Sequence, residues 1–270
     1  MDASHVNVLM GDIDPNPKLS RYEVIKLCES LNMHIEDGRD GLSQRYTGIS
    51  RPLLPDEVMI EIQNWIKTVD SRMIWIEGPD STSFGSGLSL AAHRIYSISM
   101  QAELPCISVF CKPYHSTRTK KTDREAALIS LLYSVISQLA RLLPIEFEMT
   151  DGIDETKFKA LNGTLESAEI ALGLVKALLT HAPRSLIWVV DGLQFAEGQT
   201  TAPYLARLLE ILREDERNRV SKVCFTTHGN SLTLLRAIRL PERVDASRMA
   251  QSRPGHIFRG GSDPDLLRGP

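Results

Sequence analysis

Along the chain, a regular spacing of apolar residues appears in stages. Residues 1 to about 20 are polar and turn-rich, as in "GDIDPNPKLS", which predicts little order. A helical spacing then runs through Val24, Leu27, Cys28 and Leu31, with Ser20 placed as its N-cap. "EDGRDGLSQRYTGISRPLLP" reads as a linker. "PDEVMIEIQNWIK" predicts a second helix, with acids in its first turn and an apolar stripe at Val58, Ile62, Trp65 and Ile66.

From residue 72 the period changes. Four short apolar runs follow one another: "RMIWIEG", "PCISVFC", "SLIWVVDG" and "SKVCFTT". Each has strand length, and several carry β-branched or aromatic residues. They are continuous rather than alternating, which predicts a sheet covered on both faces. Helical stretches separate them. "LSLAAHRIYSISMQAE" has its stripe at Leu88, Ala91, Ala92, Ile95 and Ile98; "DREAALISLLYSVISQLARLLP", "ESAEIALGLVKALLTHAP" and "APYLARLLEILREDER" complete the series. Strands alternating with helices predict an α/β fold, a parallel sheet flanked by helices in three layers. "RVDASRM" can add a fifth strand, and the Arg-, Gly- and Pro-rich end reads as a disordered tail. The expected organisation is an N-terminal helical or irregular segment and linker over 1–50, an α/β domain over 51–240 and a tail over 241–270.

Composition narrows this picture little. The chain is 42% hydrophobic and 24% charged, with a formal net charge of -3, so it offers no general case for nucleic-acid binding. Cys106 and Cys111 lie five apart on a strand and so point to opposite faces, which removes them as neighbouring ligands of one zinc. Cys28, Cys106, Cys111 and Cys224 read as buried thiols. The start lacks the basic region of a signal peptide, and no uncharged apolar run approaches a membrane span. A reducing, cytoplasmic setting is the default expectation.

Open α/β sheets bind ligands at the carboxyl ends of their strands. The first run ends at Gly78 and leads into "TSFGSGLS". A phosphate-binding loop needs glycines so that backbone N–H groups can curl round the anion, and a helix N-terminus behind them. It also needs a lysine for the β/γ-phosphates and a Ser or Thr for magnesium. Aligned on "GSGLS", the chain keeps Gly85, Gly87 and Ser89, but Thr82 replaces the first glycine and Leu88 the lysine. Taken alone, the stretch reads as a plain connector more readily than as a phosphate loop. The third run ends in "IWVVDGLQ", where Asp191 has the form of a Walker B carboxylate for magnesium or of a cap at a strand end. The fourth ends in "FTTHG", a sensor position or a surface loop. His93, His115 and His181 have no converging Cys, Ser or acid in the pattern and read as solvated or locally bonded. The loop from Arg118 to Arg124 reads as a connector that could supply a substitute phosphate cation.

The order "MIWIEGP…GSGLS", "PCISVFC", "YSVISQLARLLP", "LIWVVDGLQ", "KVCFTTHGN" resembles the NACHT-type P-loop NTPases of the STAND signalling class, in particular their nephrocystin-like fungal branch. The resemblance spans roughly residues 50 to 235 and includes the Trp-containing helix before the first strand. It implies ATP or GTP with magnesium, held weakly or not at all. Gly85, Ser86, Gly87, Leu88 and Ser89 would form the nucleotide site, and Ser89 and Asp191 would hold the metal. The departures are Leu88 for lysine, Gln194 and Phe195 where the family has acids, and His228 where it often has arginine. A lysine about 4 Å from a phosphate charge is worth roughly 4 kcal/mol at an effective dielectric near 20, so its loss weakens binding more than about tenfold. With no base at 194 or 195, no catalytic residue is assigned and negligible turnover is expected. The resulting expectation is a signalling or scaffold domain acting through protein partners, with self-association open. The alternatives are a magnesium-dependent nucleotide-binding switch and a slow ATPase using Glu197.

Overall fold

A computed structural model describes residues 18–39, 41–42, 54–79, 87–112, 123–148 and 152–251. In chain order the elements are β1 (Lys18–Ser20), α1 (Arg21–Cys28), α2 (Asp56–Lys67), β2 (Arg72–Gly78), α3 (Gly87–Gln101), β3 (Cys106–Phe110), α4 (Asp123–Leu142) and β4 (Glu146–Glu148). They continue with α5 (Glu155–Lys159), α6 (Ala168–Leu179), β5 (Ser185–Asp191), α7 (Ala202–Asp215), β6 (Val220–His228), α8 (Leu232–Ala237), β7 (Arg243–Asp245) and α9 (Ala246–Gln251). Short 3-10 turns cover Glu29–His34, Leu165–Ser167, Leu193–Phe195 and Leu240–Glu242.

Five strands form one sheet in the order β3-β5-β6-β2-β7, and every pair in it is parallel. The expected three-layer α/β architecture, a parallel sheet flanked by helices, is therefore the observed one. The centre is β6; β2 lies on one side of it and β5, bearing Asp191, on the other. The sheet alternation splits the core in two. Met73, Trp75, Trp188 and Phe225 face the cluster built by α1, α4, α6 and α7. Ile74, Ile76, Val189 and Cys224 face the cluster built by α2 and α3. Burial on both faces is why the strands read as unbroken apolar runs. Cys106 and Cys111 fall in opposite clusters, and all four cysteines are buried and free.

Ser20 caps α1 as expected, in a capping box with Glu23: the Glu23 N–H donates to Ser20 Oγ at 3.2 Å and the Ser20 N–H to Glu23 Oε2 at 2.8 Å. Two stripe positions depart from expectation. Ile66 and Ile98 are each 50% exposed, because both lie at the edge of their helix stripe, beyond the sheet that covers its centre. The helix α4 is long and apolar enough to cross a membrane by length and composition, but it is a core helix, 72% buried. Residues 36–39, expected to be linker, run beside the sheet: the Gly38 N–H donates to Phe110 O at 3.2 Å and the Glu36 N–H to Ser130 Oγ at 2.7 Å.

The edge strand β7 lies inside the stretch 241–270 that was expected to be a tail. Arg243 fixes it there: its guanidinium stacks on the Trp75 ring at 4.8 Å and its Nε donates to Glu77 Oε2 at 2.9 Å. "RVDASRM" is strand only to Asp245 and helical after it. Residues 252–270 lie outside the described residues, as do 1–17.

Candidate functional site

The carboxyl ends of β2, β5 and β6 converge with the start of α3. Gly78 pairs with His228 and Asp191 with Thr226 in register. Gly87, Leu88 and Ser89 open α3. Gly85 and Ser86, with Thr82 and the rest of 80–86, lie outside the described residues, so the glycine cradle itself is not described.

Ser89 and Asp191 are brought together. Both are 1% exposed, and Ser89 hydrogen-bonds the Asp191 side chain. Thr226 Oγ1 donates to Asp191 Oδ1 at 2.6 Å. Burial pushes the Asp191 carboxyl up to about 6, and the bonds from Thr226 and Ser89 hold it from rising further. Its backbone is fixed as well: the Cys111 N–H donates to Asp191 O at 2.8 Å and the Gly192 N–H to Thr226 O at 2.9 Å. The chain then turns at Gly192 with φ +76°, where a Cβ would meet Cys111 O at 2.5 Å. Only glycine suits that position, which is why "DG" ends the strand.

Leu88 goes the other way. It is 4% exposed and belongs to the α2/α3 core cluster. Its Cδ1 lies so close to Gly78 that a Cβ there would be 2.2 Å away. The position that would carry a phosphate cation is thus a core position. The donor set therefore fits one half of a magnesium nucleotide. Ser89 Oγ and the Asp191 carboxylate are hard oxygen donors of the kind magnesium takes, alone or through water. With the metal bound, they would anchor a cation that neutralises phosphate charge. No side chain at 88 could add to that charge.

The remaining expected participants are placed as follows. Gln194 and Phe195 sit in the 3-10 turn after Gly192, and the Phe195 ring packs against Gly192. His228 is buried at the end of β6. Glu197 Oε1 accepts from the Thr233 N–H at 2.7 Å and from Thr233 Oγ1 at 2.6 Å, so it holds the start of α8. His93 contacts Tyr96 and Phe110, and His181 lies 4.7 Å from the Phe147 ring. His115 lies outside the described residues. Among the described residues no group of three or more His, Cys, Asp or Glu could hold a metal.

Sequence reasoning missed two partners at this end of the sheet. Thr226 has no motif of its own; its role follows only from β5 and β6 being neighbours. Trp75 donates from Nε1 to Thr227 Oγ1 at 2.9 Å, and Thr227 in turn donates to Gly229 O at 2.9 Å. That chain fixes the backbone turn after β6.

A family model described as "Nephrocystin 3, N-terminal" matches residues 59–228. No curated protein matches the chain. Among solved structures, the chain is similar to that of the ORC1 protein of Aeropyrum pernix, determined in complex with DNA. The two are 11% identical with a TM-score of 0.35, over 87% of this chain and 52% of that one. The chain thus spans about half the length of that protein.

Proposed function

Because the chain belongs to the nephrocystin 3 N-terminal family, on a match that covers residues 59–228, we propose that it is a signalling or scaffold domain of NACHT-like, STAND type with a degenerate, non-hydrolysing nucleotide site. The observation that carries this is Leu88, buried against Gly78 where a phosphate-binding lysine would stand. A leucine that is part of the core cannot move out to meet an anion without leaving a cavity. Hydrolysis would also need a positioned water and a base. Gln194 and Phe195 are not bases, and Glu197 is engaged in holding α8, which argues against the slow-ATPase alternative. On this reading the domain acts through protein contacts in the reducing cytoplasm, which agrees with four free, buried cysteines.

Calorimetric titration with ATP and ADP, with and without magnesium, tests it. The expected result is no binding tighter than the millimolar range and no phosphate release; low-micromolar binding by the unaltered chain would overturn it. The variant Leu88→Lys is expected to gain affinity at least about tenfold if the amide cradle is otherwise intact.

A second reading, a magnesium-dependent nucleotide switch, is favoured by one observation, the Ser89–Asp191 pair. Nucleotide affinity that falls in Asp191→Ala, in magnesium only, would select it over the first.

A further inference from the structure

Charge that could meet an anion is present among elements that pack on the opposite face of the sheet from Leu88. A cleft of about 450 Å³ lies between the loop that follows β5 and the start of α8. Its walls include Arg124, Gln194, Glu197, Asn230, Leu232 and Arg236. Arg124 enters from the first turn of α4 and lies across Gly198; Arg236 enters from α8. Both are exposed, and neither takes part in an ion pair among the described residues. The acid in the cleft, Glu197, is bonded to Thr233. Two guanidinium groups thus face a cleft with one carboxylate.

Gln194 adds a second, independent sign. Its amide oxygen and nitrogen are both buried without a hydrogen-bond partner. A buried amide left unsatisfied costs free energy that a folded protein seldom leaves unrecovered. In the wall of a cleft this size, a small ligand can supply the missing partner after a side-chain rotation.

We propose that this cleft binds a phosphate-bearing small molecule, with Arg124 and Arg236 as its cationic walls and Gln194 as a neutral donor to it. Guanidinium groups are suited to phosphate because their N–H donors match its oxygens in pairs. Leu232 and Ala202 supply the apolar side for the rest of the molecule. The site does not depend on the Ser89–Asp191 pair.

Inorganic pyrophosphate is the probe, titrated into the full chain by calorimetry at low ionic strength without magnesium. The double variant Arg124→Gln, Arg236→Gln is expected to bind at least about tenfold more weakly. Because both residues are exposed, it should keep the unaltered circular dichroism and melting temperature. Gln194→Leu is expected to weaken pyrophosphate about threefold while the fold is unchanged or stabilised; a purely structural Gln194 would leave the affinity alone. Lys176→Gln, at an exposed lysine outside the cleft, is expected to change nothing. Three results would overturn the proposal: no pyrophosphate binding by the unaltered chain, equal losses in Lys176→Gln and the double variant, or loss of binding in Asp191→Asn. The last would place the anion at the start of α3 and leave the nucleotide reading standing.

Discussion

The Leu88 side chain lies over Gly78 with no room between them: a Cβ on the glycine would sit 2.2 Å from Leu88 Cδ1. A residue in the first turn of α3 closes the α2/α3 core over the end of β2. This contact ties the carboxyl end of β2 to the start of α3.

Gly78→Ala should therefore destabilise the protein by about 1–3 kcal/mol through overpacking. Leu88→Ala alone should cost about 2–4 kcal/mol through the cavity it leaves. The double variant should cost less than the sum, since the alanine methyl enters space that the leucine vacates. Urea denaturation of the four proteins measures the coupling, and strict additivity would mean that the two residues do not touch.

Asp191 carries a folded-state cost that depends on pH. Its carboxyl is raised from 3.8 to about 6, chiefly by burial. Below pH 3.8 it is neutral whether folded or unfolded and costs nothing. As pH rises through about 6, stability is lost, to about 3 kcal/mol. Asp191→Asn should recover up to that amount at pH 7, since its amide oxygen can still accept from Thr226, and the gain should vanish near pH 4. A flat difference between pH 4 and 7 would contradict the raised carboxyl.

Arg219 is expected to be a main structural charge. Its side chain is 5% exposed, its Nε donates to Asp215 Oδ1 at 2.8 Å, and its Nη1 donates to Ala182 O and Pro183 O, each at 2.6 Å. It also bonds Leu179 O at the end of α6. Arg219→Ala leaves a buried carboxylate and several carbonyls without donors, and should cost about 3–5 kcal/mol. Removing Asp215 as well should restore part of this, and thermal melting of both variants provides the comparison.

Gly192→Ala combines a left-handed backbone with a 2.5 Å approach to Cys111 O. The conformation alone costs roughly 1–2 kcal/mol, and a backbone oxygen cannot step aside as a side chain could. We expect a loss of more than about 2 kcal/mol in denaturant, together with displacement of Asp191 seen as a shifted pH profile. A fully stable variant with an unshifted profile would show that the turn tolerates a side chain.

The strands were legible because both faces of the sheet are covered, so "RMIWIEG" and "SLIWVVDG" are apolar throughout. The N-cap at Ser20 was legible because a serine stands just before the first residues of helical spacing; its reciprocal bond with Glu23 came from the structure. The pair β1 and β4 was not anticipated: Leu19 pairs with Phe147 across the chain, and three-residue strands carry no period. The edge strand β7 was only half seen, since its hold on the sheet is Arg243 against Trp75 and Glu77 rather than an apolar run.

By itself, the sequence determined the alternation of strands and helices, the apolar residue at Leu88 and the candidates Ser89 and Asp191, because these depend on local period and residue chemistry. The tertiary structure decided what each residue does. Only strand order places Thr226 beside Asp191 and Arg243 over Trp75. Only packing turns Leu88 inward onto Gly78, commits Glu197 to Thr233 and gathers Arg124 and Arg236 in one cleft. Such pairings join residues far apart in the chain, and contact energies between them leave no periodic trace in the order of amino acids.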